Sequence, residues 1–190
     1  TYAIPILRKL ELSATFFISA GFVGLSKNDE SAFIRSNLMF EEAPHRMTTG
    51  GLTRDDVRRI SDQGFTIGGH TFSHCIISSF RDKTLLTYEI EEDKLALEKL
   101  SGTKIKYFSY PTGVYQNPEI DIVEILQKVG YKSAVTTTSG YNDACTNPYL
   151  LHRELTSASM SGQVFRARVY GNYDAVDSIK RLGMWLRSSH

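Results

Sequence analysis

Short apolar segments of β-prone residues alternate with amphipathic helical segments along most of this 190-residue sequence. The run at residues 14–18 is continuously hydrophobic or β-branched, as expected of a strand that is covered on both faces. The clearest helical pattern, at residues 82–100, places Leu86, Ile90 and Leu97 on one stripe. This alternation predicts an α/β domain with parallel strands, in which the chemistry lies at the carboxyl ends of the strands.

The other predicted elements follow the same order. Thr53 is predicted to cap a helix with Asp56 in the capping-box position, and Gly64 ends that helix. Asn117 followed by Pro118 predicts the start of another helix, which ends at residue 130. Periodicity alone leaves open whether the strands form an open doubly wound sheet or a closed barrel. Further strands are expected at residues 65–68, 105–109 and 133–137, further helices at residues 1–11 and 174–186, and a long loop with a short helix at residues 22–51.

Composition and charge exclude several classes of protein. With 41% hydrophobic and 23% charged residues, the chain has the composition of a folded globular protein and not of a disordered or fibrous one. A net charge of +1 gives no case for a nucleic-acid partner. No apolar stretch approaches the roughly 20 residues that a membrane-spanning helix needs. The length favours a single domain over residues 1–190.

Two histidines, His70 and His74, follow a predicted strand and the glycine pair Gly68-Gly69. If this segment turns helically, the i, i+4 spacing puts both imidazoles on one face, where they can share a cation. Neutral imidazole suits zinc and its neighbours among the transition metals, although a catalytic zinc usually has three protein ligands. The alternative is that both histidines are polar residues hydrogen-bonded to backbone near a strand end.

The segment at residues 67–74 resembles the second conserved block, His-Ser/Thr-x-x-His, of the polysaccharide deacetylase (NodB-like, carbohydrate esterase family 4) proteins. The resemblance implies a distorted (β/α) barrel and a divalent metal, most simply zinc, held by His70 and His74. It implies removal of N-acetyl groups from a GlcNAc-containing polysaccharide or oligosaccharide. Further similar segments occur in the family's order at residues 14–18, 52–64, 108–113, 130–137 and 147–153.

The segment at residues 108–113 is similar to the family's third block, with Ser109 at the position where an arginine is usual. The resemblance implies substrate-binding roles for Tyr110, Pro111 and Thr112. Thr112 would act through its backbone N–H in an oxyanion hole. Tyr110 could line a sugar groove, although a tyrosine there could equally serve in packing.

Two further catalytic candidates are adjacent, at His152 and Arg153. Leu150-Leu151-His152 matches the family's Leu-x-His block, whose histidine protonates the leaving amine, and Arg153 could orient the catalytic base in place of the usual arginine. The alternatives are that His152 is a substitution without a role and that Arg153 is a surface or ion-paired residue.

The family's opening block, with two adjacent aspartates that serve as base and third metal ligand, would precede the helix predicted at the start of this sequence. We expect the natural protein to carry it on an N-terminal strand that these residues lack. The alternatives are an O-acetyl esterase or cyclic-amide hydrolase on the same barrel, or an inactive sugar-binding pseudoenzyme. The family's substrates favour a site of action at the cell surface or outside the cytoplasm.

Overall fold

The computed structural model describes residues 3–37, 50–157 and 159–171. Six helices and four strands alternate in these residues, in agreement with the predicted α/β class. The helix predicted at residues 174–186 lies outside the described residues. The elements are α1 (Ala3–Lys9), β1 (Thr15–Ile18), α2 (Lys27–Asn37), α3 (Arg54–Asp62), β2 (Thr66–Gly69), α4 (Lys83–Ser101), β3 (Tyr107–Ser109), α5 (Ile122–Val129), β4 (Ser133–Val135) and α6 (Gly162–Val169).

The four strands form one parallel sheet in the order β1-β2-β3-β4. Ile18 pairs with Gly69, Gly69 with Phe108, and Ser109 with Val135, so the carboxyl ends of all four strands meet at one edge. A parallel bridge between Val135 and Leu151 extends the sheet beyond β4. The loop that follows each strand therefore opens on the same side of the molecule, as the alternation of strands and helices predicts.

The core lies between this sheet and the helices that cover it. The apolar stripe predicted on α4 is confirmed, because Leu86, Ile90 and Leu97 are all fully buried. Phe108 and Ala134, at the centres of β3 and β4, are also fully buried, as expected of parallel strands with both faces covered. Among the described residues, no helix is both long and apolar enough to cross a membrane. The assignment of residues 1–190 to a single domain stays a prediction.

Two predicted helix starts have different outcomes. Thr53 caps α3 in a full capping box with Asp56, as predicted. The helix predicted to begin at Asn117 instead begins after Asp121, whose carboxylate accepts from the backbone N–H of Glu124. Asn117 still makes local capping contacts, because its Oδ1 accepts from the N–H groups of Glu119 and Ile120, each at 3.0 Å. Its NH₂ group donates to the carbonyls of Ile77 and Phe80, both at 2.9 Å. The local signal at Asn117 is therefore satisfied in a turn, and the regular helix begins only at Ile122.

The segments that were hardest to interpret contain two helices. The short helix expected within residues 22–51 is α2, while residues 38–49 lie outside the described structure. Helix α6 lies in residues 157–173, for which the sequence pattern gave no assignment. Its N-cap is Ser161, whose hydroxyl accepts from the N–H of Val164. A short, weakly amphipathic helix of this kind leaves little periodic signal in a sequence.

Candidate active site

His70 is the first residue after β2, at the carboxyl edge of the sheet. Its Nδ1 lies 2.6 Å from the backbone carbonyl oxygen of Ser109, the last residue of the neighbouring strand β3. A carbonyl can only accept, so Nδ1 carries the proton and the Nε2 lone pair is left available. The hydroxyl of Ser19, just after β1, donates to the carbonyl of His70 at 3.1 Å. Residues from three adjacent strand ends thus hold this histidine in place.

His74 approaches His70 without a helical turn, the condition under which the i, i+4 spacing would place both imidazoles on one face. Thr71 and His74 have φ values of 59° and 57°, so the intervening loop is a tight turn with two left-handed residues. The segment is therefore not helical. The two rings still lie with their centroids 4.8 Å apart and their planes at 77°, so the side chains are neighbours through a different backbone route.

Both imidazoles are held in the neutral form. Burial lowers the pKa of His70 to about 4, against the opposing hydrogen bond to Ser109, and the charges of His74 and Arg153 lower it further. Burial also lowers the pKa of His74. A neutral imidazole is the form that binds a metal ion, because the ligand atom needs its lone pair.

The donor set fits part of a zinc site. Nδ1 of His74 is buried and has no hydrogen-bond partner within the described structure, so this atom is available as a metal ligand. His70 presents Nε2 with its other ring nitrogen already hydrogen-bonded, the usual arrangement of a metal-binding histidine. Across residues 3–37, 50–157 and 159–171, no group of three His, Cys, Asp or Glu side chains is placed to hold a metal ion. The chain thus offers two imidazoles of the three ligands that a catalytic zinc usually takes.

A large cavity of about 740 Å³ opens beside the two histidines. Most of its walls are apolar side chains and glycine backbone, while the polar groups on its wall include His70 and His74. A mainly apolar cavity with a few convergent polar groups is the usual form of a small-ligand site. The apolar lining comes from residues such as Pro5, Phe17, Ile18, Phe22, Val23 and Leu52.

The three residues predicted to bind substrate have different environments. Tyr110 is fully buried and its hydroxyl donates to the carbonyl of Tyr149 at 2.9 Å. Its side chain belongs to the core and does not line a groove, so any contact with substrate would have to come from its backbone. Pro111 is buried, whereas Thr112 is exposed with a φ of 58°. Thr112 is therefore the part of this block that is open to solvent.

His152 and Arg153 lie across β4 from the third block. Nε of Arg153 donates to the carbonyl of Thr136 at 3.1 Å, and its charge reaches His70 strongly enough to lower the pKa of that histidine. His152 lines a second cavity of about 350 Å³, on whose wall neither His70 nor His74 lies. Nδ1 of His152 is buried without a hydrogen-bond partner among the described residues. The predicted catalytic roles of both residues stay predictions.

One acidic residue of α4, Asp93, belongs to the surroundings of the site and was not predicted from the sequence to do so. Asp93 is fully buried, and its carboxylate accepts from the backbone N–H of His70 at 2.7 Å. Burial raises the pKa of Asp93 to about 7, while N–H bonds from Ala20 and His70 oppose the shift. The signal was present, since Asp93 falls at helical spacing on the stripe of Leu86, Ile90 and Leu97.

Comparison with known proteins gives a consistent family and fold. A family model described as polysaccharide deacetylase matches residues 1–134. The deacetylase PplD of Streptococcus pyogenes, solved with acetate, is 22% identical with a TM-score of 0.66 over 87% of this chain and 62% of that one. IcaB from Ammonifex degensii is 21% identical with a TM-score of 0.67 over 88% of this chain and 66% of that one.

These similarities identify the fold and show how much of each relative the chain covers. The predicted fold class, an α/β chain with a parallel sheet of the (β/α) barrel type, is confirmed. Among curated proteins, the uncharacterized protein YlxY of Bacillus subtilis is 24% identical over 119 residues, which are 63% of this chain and 28% of that protein. The chain therefore spans less than two thirds of the length of each of these three relatives.

Proposed function

The chain belongs to the polysaccharide deacetylase family, and from this premise we propose that it is a metal-dependent hydrolase that removes N-acetyl groups from a GlcNAc-containing polysaccharide. Membership of the family supports a hydrolase that acts on an acetylated carbohydrate. The N-acetyl bond, the polysaccharide and zinc as the metal are the finer content of the proposal. Because such polymers lie in cell envelopes and outside cells, the proposed site of action is the cell surface or the extracytoplasmic space.

The observation that carries the proposal is the pair His70 and His74 beside the large cavity. Two neutral imidazoles with ring centroids 4.8 Å apart, one oriented by the carbonyl of Ser109, are the ligands that a zinc ion prefers. A zinc ion bound there would polarise an acetyl carbonyl and lower the pKa of a bound water. The adjoining cavity has room for a sugar unit.

Thr112, His152 and Arg153 have proposed roles in the reaction, each through a particular donor group. The backbone N–H at Thr112 would donate to the oxyanion that develops on the acetyl carbonyl oxygen. His152 would donate a proton to the departing amine. Arg153, whose charge already reaches His70, would orient the base. The proposed base and third metal ligand are the aspartate pair expected in the natural protein.

The first experiment measures metal content together with acetate release. After exhaustive dialysis, the natural protein is expected to retain about one zinc per chain and to release acetate from chitooligosaccharides. His70→Ala is expected to remove both properties, because it takes away the oriented imidazole. Cys145→Ser is the control for adventitious binding by an exposed thiol and should change neither. Zinc content that is unaffected by His70→Ala would contradict the proposal.

The same assay separates the alternatives. Retained zinc with acetate release from O-acetyl esters and none from chitooligosaccharides would indicate an esterase. No retained zinc and no release from either substrate would indicate a sugar-binding pseudoenzyme.

The role of His152 needs its own variant. His152→Ala should leave zinc content unchanged and slow acetate release by about 100-fold, the lower part of what general acid catalysis contributes. The loss should be smaller with an activated O-acetyl ester, whose leaving group needs no proton. An equal loss with both substrates would count against the role of proton donor.

A further inference from the structure

Asp93 connects two strand ends through one buried carboxylate. Its Oδ1 accepts from the backbone N–H of Ala20, and its Oδ2 accepts from the backbone N–H of His70, each at 2.7 Å. Ala20 lies just after β1 and His70 just after β2, while Asp93 itself is on α4. The carboxylate therefore fixes the position of the His70 backbone relative to the neighbouring strand end.

The close approach of Asp93 to the histidine loop depends on Gly69. A Cβ atom at Gly69 would lie 2.9 Å from Oδ2 of Asp93 and 2.2 Å from the hydroxyl oxygen of Tyr131. The glycine thus lets the α4 carboxylate reach the N–H of the next residue, His70.

A second contact from α4 holds the other half of the loop. The carboxylate of Glu89 accepts from the N–H of Ser73 at 2.8 Å and from the Ser73 hydroxyl at 2.9 Å. The backbone carbonyl of Glu89 accepts from the N–H of Phe72 at 2.9 Å. Two residues one turn apart on α4, Glu89 and Asp93, therefore hold the backbone of the loop that carries the two histidines.

We propose that Asp93 is a positioning residue for the histidine pair, setting the separation of the two imidazoles by fixing the backbone of His70. The inference rests on the proposed metal site and extends it to a buried residue that makes no contact with either ring. The functional consequence follows from geometry, since a metal ion requires its ligand atoms within a few tenths of an ångström of fixed distances. A carboxylate suits the task because two separate oxygens can each accept one N–H.

The decisive variant is Asp93→Asn, which keeps the size and shape of the side chain. Asparagine has one acceptor oxygen, so its NH₂ group must face the N–H of either Ala20 or His70. We expect zinc affinity to fall about 10- to 100-fold, the usual consequence of losing an outer contact of a metal ligand. The protein is titrated with zinc against a chromophoric chelator, in parallel with the His70→Ala variant.

Two other substitutions on α4 provide comparison. Glu89→Gln keeps one acceptor for the N–H of Ser73 and one donor for its hydroxyl, so it should weaken zinc binding less than Asp93→Asn. Glu91→Gln removes the same charge from an exposed position of the same helix and should leave zinc affinity unchanged. If hydrogen-bond geometry matters, zinc affinity falls most in Asp93→Asn, less in Glu89→Gln and not at all in Glu91→Gln. If only the lost negative charge matters, the three variants lose the same zinc affinity.

A spectroscopic measurement separates positioning from simple loss of stability. At saturating cobalt, the visible absorption of the bound ion reports the geometry of its ligands. Asp93→Asn should shift this spectrum in the folded protein. A variant that is only less stable would have a lower melting temperature but the same spectrum as the wild type. If Asp93→Asn does not fold, Asp93→Ser replaces it, since the shorter side chain leaves room for a water.

The possible outcomes distinguish the proposed metal site from the proposed positioning role of Asp93. A folded Asp93 variant with wild-type zinc affinity and cobalt spectrum, while His70→Ala loses zinc, would overturn the positioning role and leave the metal site standing. Unchanged zinc binding in His70→Ala would overturn both. Weaker binding with an altered cobalt spectrum in the Asp93 variant, and neither change in Glu91→Gln, supports the positioning role.

Discussion

At the scale of single residues, the space around Gly69 is the tightest constraint on the histidine loop. Atoms of Tyr131 and Asp93 occupy the volume that any side chain at this position would need. Such crowding is repulsive, so a Cβ would have to displace either the loop that follows β2 or the buried side chains of Tyr131 and Asp93. The glycine at this position is therefore required by packing, and not by an unusual backbone angle.

We expect Gly69→Ala to lower the free energy of unfolding by about 1–3 kcal/mol, the usual cost of overpacking a core. It should also weaken zinc binding, because the displaced loop carries His70. Urea unfolding curves measure the first effect. Gly162→Ala is a suitable control, since a Cβ there meets no atom within 4 Å. Equal stability of the two variants would show that the close approach is not maintained in solution.

Two buried tyrosines differ in what their hydroxyl groups contact. The Tyr110 hydroxyl donates to the carbonyl of Tyr149 at 2.9 Å. The Tyr131 hydroxyl is buried without a hydrogen-bond partner in the described part of the chain. Both rings pack against Phe108, with centroid distances of 5.5 Å and 5.2 Å, so their apolar environments are similar.

Removing each hydroxyl should therefore have opposite consequences. Tyr110→Phe should lower the free energy of unfolding by about 1 kcal/mol, because the carbonyl of Tyr149 loses its partner. Tyr131→Phe should leave it unchanged or raise it, because an unsatisfied polar atom is removed from the core. The measurement is the difference between the two denaturation midpoints, and a larger loss in Tyr131→Phe would contradict the assignment.

At the scale of elements, α3 shows how local contacts define a helix start. The Thr53 hydroxyl accepts from the N–H of Asp56 at 3.1 Å, and the Asp56 carboxylate accepts from the N–H of Thr53 at 2.9 Å. The hydrogen bonds from Thr53, followed by the contact with Arg59, hold the pKa of Asp56 at about 2, below its usual 3.8. The depressed pKa means that the ionised carboxylate favours the folded state.

The sign of the pH dependence follows from that depression. The stabilisation is fully present above the unfolded pKa of about 3.8 and is lost as the pH falls towards 2. Asp56→Asn should therefore be less stable than the wild type at pH 7 by about 0.5–1 kcal/mol, and this difference should shrink as the pH falls through 2. Asp55→Asn, in the same helical turn, should lose less, because Asp55 is not part of the capping box. A pH-independent difference between Asp56→Asn and the wild type would contradict this account.

The comparison of α3 with α5 explains which helix starts could be predicted. Thr53 and Asp56 contact only each other's backbone and side chain, so the signal is contained in four consecutive residues. Asn117 makes the same kind of local contact, because its Oδ1 accepts from the N–H groups of Glu119 and Ile120. Its NH₂ group also donates to the carbonyls of Ile77 and Phe80, about 40 residues away in the chain. The local capping signal thus predicts a turn start in both segments, but after Asn117 the helix itself begins only at Ile122, where Asp121 is the N-cap.

At the scale of the whole molecule, a bound ion links the local site to global stability. Any ligand that binds the folded state alone raises the free energy of unfolding by an amount set by its concentration relative to Kd. His70 is held by contacts from residues at the ends of β1 and β3 and on α4, so the pair cannot persist in an unfolded chain. Zinc binding should therefore be visible in the unfolding of the entire protein.

Added zinc at 100 times its Kd should stabilise the natural protein by about 2.7 kcal/mol. The melting temperature should rise accordingly, and His74→Ala should remove the rise. Magnesium, which prefers oxygen ligands, serves as the ion control and should have little effect. An equal rise with magnesium, or in His74→Ala, would indicate that the stabilising ion binds elsewhere.

The sequence alone determined the features that depend on neighbouring residues. Three such features are the apolar periodicity of α4, the capping box of α3 and the glycine at the end of α4. Each depends on residues within a few positions of one another, so the order of helices and strands was predictable. The position of the histidine pair after a strand was predictable for the same reason. The resemblance of ordered segments to polysaccharide deacetylases then selected a barrel among the architectures that this order allows.

Only the tertiary structure decided how the site is assembled. The contacts that hold His70 come from Ser19, Asp93 and Ser109, which are 51, 23 and 39 residues away in the chain. The two imidazoles meet through left-handed turns and not through the helix that their spacing suggested. The physical reason is that periodicity reports which face of an element is buried, whereas the alignment of strand ends and the burial of Asp93 depend on which elements pack together.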